Sequence, residues 1–265
     1  LNTGAPQGCV LSPVLFSIYT NELSCNNAVL TLIKFADDMA LVSRLTDEHS
    51  LSQYFLYINT ISSWFDSSFL ELNVQKTKEL CFEEGRARDA SLLRPITIGN
   101  QFVEQVDSFK YLGTVLDKKL CFSFHVDTVC KKANQRLYLL RKLKCFDVSM
   151  PILETVYRSL IESILTFNII AWYGNLTVKE RARLTRVVRQ AGKIVGTEQK
   201  QLSDLYHTFV KRKAQKIRSD PVHPLFESFQ MLPSGRRLRA PLAKRNLYKR
   251  SFVPTAISIL NSSAF

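Results

Sequence analysis

Val29-Leu30-Thr31-Leu32-Ile33-Lys34-Phe35-Ala36-Asp37-Asp38-Met39-Ala40-Leu41-Val42-Ser43-Arg44-Leu45 is the stretch on which the reading of this chain turns. Two β-prone runs, Val29 to Phe35 and Met39 to Leu45, meet at Ala36-Asp37-Asp38, which is the pattern of a hairpin with two acids at its tip. Adjacent carboxylates repel unless a positive charge relieves them. A divalent cation does so, and magnesium prefers carboxylate oxygens together with substrate phosphates. An ordinary Asp-rich turn accounts for the same residues without a metal, because Asp favours turns.

Upstream, Gly4-Ala5-Pro6-Gln7-Gly8 precedes Leu11-Ser12-Pro13-Val14-Leu15-Phe16. The two glycines leave backbone open to a close-packed ligand, and Gln7 offers an amide. Ser12-Pro13 starts a helix, with Ser12 as N-cap and Pro13 in the first turn. Downstream, Thr46 begins an amphipathic helix to about Phe65, with Leu51, Phe55, Ile58, Ile61 and Phe65 along one side. Leu72 to Val74 and Glu79 to Phe82 read as extended, and Glu83 to Arg94 as a charged loop. Ile96 to Val103, centred on Gly99-Asn100, is a second hairpin, and Phe109 to Leu116 is a further strand. From His125 the pattern is helical: about Val126 to Leu143, Pro151 to Tyr173, Val178 to Val195 and Leu202 to Ile217. The last stretch, with Pro221, Pro224, Pro233, Pro241 and Pro254, is expected to be an extended, loosely ordered tail. The fold class is α+β, with strands giving way to helices near residue 120.

The net charge of +13 is unevenly placed. Residues 1–130 hold 10 Lys and Arg against 15 Asp and Glu, whereas residues 131–265 hold 26 against 8. A basic half points to a polyanionic partner, since Lys and Arg displace counterions from phosphates; a solvated basic surface is the plainer account. Its clearest element is Lys179 to Lys193, where Arg186, Arg189 and Lys193 recur at helical spacing opposite Leu184, Val187, Val188 and Ala191. Trp172 and Tyr173 could stack on a base, although at a helix end they more often belong to a core. No apolar run approaches the ~20 residues that span a bilayer. The six cysteines have no paired zinc-ligand spacing and read as free thiols.

Gly4 to Gly8 with its following helix, and then Phe35-Ala36-Asp37-Asp38, resemble in order and spacing the polymerase motifs B and C of reverse transcriptases. Leu72-Asn73 with Lys76-Thr77-Lys78 resembles motif D, with Lys76 the better match and Lys78 its competitor. Phe109-Lys110-Tyr111-Leu112-Gly113 resembles motif E, the primer grip. Ser234-Gly235-Arg236-Arg237 and Ser251 to Ala256 look like the ends of LINE-type (non-LTR) retrotransposon polyproteins. This resemblance implies a carboxy-terminal part of such an enzyme, from motif B onward. A partial palm would occupy residues 1–118, a helical thumb-like region 119–200, and a basic connection or tail 201–265.

The resemblance further implies RNA-directed DNA synthesis with Mg2+ or Mn2+, an RNA template, a DNA primer and deoxynucleoside triphosphates, inside the cell, in cytoplasm and nucleus. Asp37 and Asp38 would be catalytic and metal-binding. Pro6, Gln7, Gly8, Phe35 and Ala36 would line the nucleotide and template. Lys76 would protonate the leaving group; Tyr111, Leu112 and Gly113 would grip the primer; and Arg186, Arg189 and Lys193 would contact nucleic-acid phosphates. The family's other metal-binding aspartate lies on an earlier strand, and this chain has no acidic residue before Glu22. Leu1 therefore reads as a truncation or exon boundary, with the rest of the centre in the upstream part of the same polyprotein and the chain by itself inactive. The rival readings are a nucleic-acid-binding relic and a viral RNA-dependent RNA polymerase; the latter usually carries Gly before the Asp pair.

Overall fold

The computed structural model describes residues 8–25, 29–82 and 94–262. The chain divides into two compact units, Leu1–Val106 and Asp107–Phe265.

In the first unit, α1 (Ser12–Tyr19) starts with Leu11, not Ser12, at the N-cap position and with Pro13 in its first turn. No residue of α1 is buried, and Val14, Leu15 and Ile18 are each more than half exposed. β1 (Leu30–Phe35) and β2 (Asp38–Ser43) pair antiparallel as a two-stranded sheet, in a register that sets Phe35 opposite Asp38 and leaves Ala36-Asp37 as the turn. α2 (Glu48–Ser67) is fixed at its start by reciprocal bonds: Ser50 N–H donates to Asp47 Oδ1 at 2.8 Å, and Asp47 N–H donates to Ser50 Oγ at 3.1 Å. This capping box satisfies two donors that a helix start leaves open. β3 (Lys78–Glu79), β4 (Thr97–Ile98), β5 (Gln101–Phe102) and β6 (Glu104–Gln105) are short; β4 and β5 form the expected hairpin around Gly99, and β3 runs parallel to β6. The α2 face packs on them through Ile58, Ile96 and Val103. This core is small.

The second unit begins with a hairpin where the sequence suggests one strand. The expected strand Phe109 to Leu116 is a hairpin, β7 (Ser108–Tyr111) and β8 (Thr114–Asp117), whose turn residues Leu112 and Gly113 have φ of 44° and 84°. Two successive left-handed residues make the turn whose twist matches that of the strands. The Asp117 carboxylate then accepts from the N–H groups of Lys119, Cys121 and Phe122, tying the hairpin to α3 (Ser123–Cys145).

The expected single helix Pro151 to Tyr173 is likewise broken. α4 (Met150–Val156) widens into a π-helical stretch, Tyr157–Glu162, and continues as α5 (Ser163–Thr166). The chain then turns at Phe167 (ψ 119°) and Asn168 (φ 50°) before α6 (Ile169–Trp172). Asn is among the few residues that take up the left-handed conformation cheaply. α7 (Val178–Val195) carries a Thr177–Glu180 capping box and ends on Gly196 at φ 91°. α8 (Leu202–Arg218), a short 3-10 turn (Phe226–Phe229), α9 (Asn246–Lys249) and α10 (Phe252–Ser262) complete the unit. The proline-bearing end is therefore not an extended tail: Phe229, Leu238, Ala256 and Ile257 are buried in the same core as Trp172, Leu184 and Val210.

One buried ionisable group makes this unit sensitive to acid. His125, 3% exposed, accepts the Val115 N–H at Nδ1 (3.3 Å) and packs edge-on against Trp172. Its Nε2 has no hydrogen-bond partner among the described residues. Burial, helped by the charge of Lys132, pushes its pKa down to about 4. The unfolded chain takes up this proton near pH 6.5 and the folded one only near 4, so stability is full above the first value and is lost as pH falls toward the second. We expect a loss on the order of 2 kcal/mol across that window. Urea titrations as a function of pH read it directly, and His125→Gln should flatten this part of the profile. A wild-type profile already flat there would refute the assignment.

Candidate functional site

The hairpin between β1 and β2 holds its tip out. Phe35 is 62% exposed, and Ala36, Asp37 and Asp38 are all exposed. Ala36 takes φ 51°, the left-handed first position of a tight hairpin turn. For a residue with a Cβ this costs roughly 1 kcal/mol, a cost glycine would avoid. Among the described residues no ion pair engages either carboxylate, so two like charges stand side by side facing solvent. Their oxygens are the hard donors that magnesium or manganese takes. The described residues nevertheless contain no group of three or more His, Cys, Asp or Glu side chains that could hold a metal. Among the described residues the tip thus offers two adjacent carboxylates without a third such ligand beside them.

Pro6 and Gln7 lie outside the described residues. Gly8 has φ 81° and is exposed, with no described atom within 4 Å of the place a Cβ would take, so its backbone conformation alone calls for glycine there. The two candidate lysines differ in surroundings. Lys76 sits in a turn where its N–H donates to Asn73 Oδ1 (3.0 Å), and it is exposed, with no ion-pair partner among the described residues. Lys78 Nζ lies 2.6 Å from Glu104 Oε2 and is only 22% exposed. Lys76 keeps an available ammonium; Lys78 is engaged.

In the second unit the tip Tyr111-Leu112-Gly113 rests on the break between α5 and α6. A Cβ on Gly113 would fall 2.8 Å from Phe167 Cε1, so only glycine lets the ring lie this close. Asn168 Nδ2 donates to Thr114 Oγ1 at 3.0 Å, and the Trp172 indole donates to the Phe167 carbonyl at 3.0 Å. Phe167 and Asn168 are thus the residues that hold the hairpin, and sequence reasoning missed them. The available signal was Asn168, a residue that favours the left-handed conformation, placed within the apolar positions of the helical run. Trp172 is fully buried and Tyr173 nearly so, which removes the base-stacking option for both.

On α7 the basic residues divide into two kinds. Arg181 packs over the Tyr173 ring at 5.1 Å and donates to the Gly174 carbonyl, and Arg183 pairs with Asp127 at 2.7 Å. Arg186, Arg189 and Lys193 are exposed along one stripe, with no ion-pair partner among the described residues. Hydrogen bonds from Ser123 and Thr177 hold the Glu180 carboxyl below its usual range despite its burial, so it serves helix start and packing. No helix of the described residues is long and apolar enough to cross a membrane.

Residues 1–116 match the family model for reverse transcriptase (RNA-dependent DNA polymerase), and residues 122–163 match that for the alkylated DNA repair protein alkB homolog 8, N-terminal. The chain is 30% identical over 185 residues to the probable RNA-directed DNA polymerase from transposon BS of Drosophila melanogaster, covering 65% of this chain and 20% of that protein. It is 32% identical over 133 residues to the corresponding protein of transposon X-element from the same fly, covering 48% of this chain and 14% of the relative. Against the RNA-directed DNA polymerase from mobile element jockey of Drosophila funebris it is 28% identical over 140 residues, covering 49% and 14%. The chain thus spans a fifth or less of the length of these relatives. No solved structure matches it significantly.

Proposed function

We propose that this chain, whose residues 1–116 match the reverse transcriptase family model and which is similar to RNA-directed DNA polymerases of transposons, is the catalytic-turn and duplex-holding part of a LINE-type RNA-directed DNA polymerase. The observation that carries this reading is the exposed Phe35-Ala36-Asp37-Asp38 hairpin tip inside the matched region. When bound there, Mg2+ or Mn2+ would lower the pKa of a primer hydroxyl and offset charge on the triphosphate.

The chain's own residues do the rest. Asp37 supplies a metal ligand and Asp38 a weaker contact. Pro6, Gln7 and Gly8 line the nucleotide and template side, and Phe35 and Ala36 shape the turn. The Lys76 ammonium donates a proton to the departing pyrophosphate. Tyr111, Leu112 and Gly113 support the primer end on Phe167. Arg186, Arg189 and Lys193 hold phosphates. Residues 1–118 then act as palm, 119–200 as thumb and 201–265 as a basic connection, in a protein that works on RNA and DNA in the cytoplasm and nucleus. The incomplete donor set favours a second reading, in which the chain on its own binds nucleic acid without copying it.

Primer extension on an RNA template separates the two. The chain alone is expected to give no product with either metal, whereas a longer polypeptide that adds an upstream acidic strand gives template-dependent DNA. Robust synthesis by the chain alone refutes the incomplete-site argument; failure of both, with duplex binding retained, leaves only the binding reading.

A further inference from the structure

Residues 230–239 form a small hairpin with more order than a solubilising tail requires. Leu232 N–H donates to Arg237 O and Arg239 N–H to Gln230 O, both at 2.8 Å, around an antiparallel bridge between Met231 and Leu238. Gly235, at φ 68°, closes the turn with its N–H on Leu232 O. A second element pins it. Asn261 of α10 accepts the Leu238 N–H at Oδ1 (2.8 Å) and donates from Nδ2 to the Leu238 carbonyl (3.0 Å). One amide thereby pairs with both main-chain groups of a residue, as a neighbouring strand would. The Leu238 side chain is buried in the core of the unit.

What this scaffold presents is charge. Arg236, Arg237 and Arg239 are exposed, and residues 236–250 contain seven Lys and Arg and no Asp or Glu. Beside the tip lies a depression of about 380 Å³ whose lining includes Arg237, Pro254, Ser258, Asn261 and Ser262. Ordering a backbone costs conformational entropy at every residue, and arginines that serve solubility alone have no use for it. A backbone fixed in advance leaves less freedom to lose when its guanidinium forks meet phosphate oxygens, which they match in pairs.

We propose that this hairpin, latched by Asn261, is a phosphodiester-binding site separate from the α7 stripe, gripping a nucleic-acid strand through Arg236, Arg237 and Arg239. Ser258 lines the adjoining depression and adds a hydroxyl donor, whereas the Ser262 hydroxyl donates to the Ser258 carbonyl. The proposal rests on the reading above that the partner is nucleic acid.

The test is the affinity of the full chain for a labelled single-stranded RNA across a salt series. It compares the wild type with Arg236→Gln/Arg237→Gln, with Asn261→Ala, and with Arg186→Gln/Arg189→Gln/Lys193→Gln on α7. The hairpin pair should weaken binding about tenfold and lower the slope of log affinity against log salt by roughly two. Asn261→Ala changes no charge, yet should weaken binding severalfold by loosening the tip. Melting curves monitor the fold, and the exposed glutamine pair decides the matter if Asn261→Ala unfolds. Wild-type affinity and slope in the glutamine pair overturn the site. A folded Asn261→Ala chain that binds as the wild type does overturns the latch. If the α7 variant weakens binding and the hairpin pair does not, this inference alone falls; if no variant matters and binding ignores salt, the nucleic-acid reading falls with it.

Discussion

Asp37→Asn, placed in a longer polypeptide that copies RNA, lowers DNA synthesis by at least ~10³-fold while leaving the melting temperature unchanged. The substitution keeps the shape of the side chain and removes the charge that would bind a cation. Asp37 is an exposed turn residue that no described ion pair engages, so the fold has little to lose; exposed positions of this kind usually shift stability by less than ~0.5 kcal/mol. Asp38→Asn, the weaker contact, should cost about tenfold, a smaller loss in metal-assisted transition-state stabilisation. Single-turnover extension with purified protein measures both. Synthesis by Asp37→Asn within a few-fold of wild type would remove Asp37 from the catalytic centre, whatever its family resemblance.

The largest expected loss of stability lies in the other unit. Trp172→Ala should cost about 3–5 kcal/mol, the range for removing a large buried aromatic side chain. Trp172 is fully buried, its ring 5.0 Å from that of His125 and 6.0 Å from that of Tyr173. Its indole N–H also holds the Phe167 carbonyl, so the substitution releases the helix break on which the β7–β8 hairpin rests. Equilibrium unfolding in urea gives the number. A loss below ~1 kcal/mol would mean that the site collapses around the missing ring, and a loss of nucleic-acid affinity with no loss of stability would return Trp172 to a base-stacking role.

Local chemistry explains which parts of this molecule were legible in its residues. The β1–β2 hairpin, α2 and α7 each combine an unbroken apolar period with turn or cap residues at their ends, and each lies where the sequence places it. The 108–117 segment lacks the usual Asn-Gly or Asp-Gly signal; Leu112 and Gly113 turn the chain at φ 44° and 84°, and Phe167 occupies the space a side chain on Gly113 would need. The break at Phe167-Asn168 left no gap in hydrophobic spacing, since Leu165, Ile169 and Trp172 continue the buried series across it. The prolines of the last stretch argued for an extended tail, whereas the burial of Phe229, Leu238 and Ile257 depends on partners far along the chain. At the candidate site the acids and the competition between Lys76 and Lys78 were readable, but only the Glu104 pairing separates the two lysines.

The Asn261 clamp also imposes a schedule on synthesis. Leu238 leaves the ribosome before the residue that will hold it, which follows 23 positions later. Until that asparagine has emerged and α10 has wound, the hairpin lacks the amide that pairs with both main-chain groups of Leu238. Once the pairing forms, both main-chain groups of Leu238 are held. A product that stops short of residue 261 keeps every arginine of residues 230–239 and lacks the amide that holds Leu238.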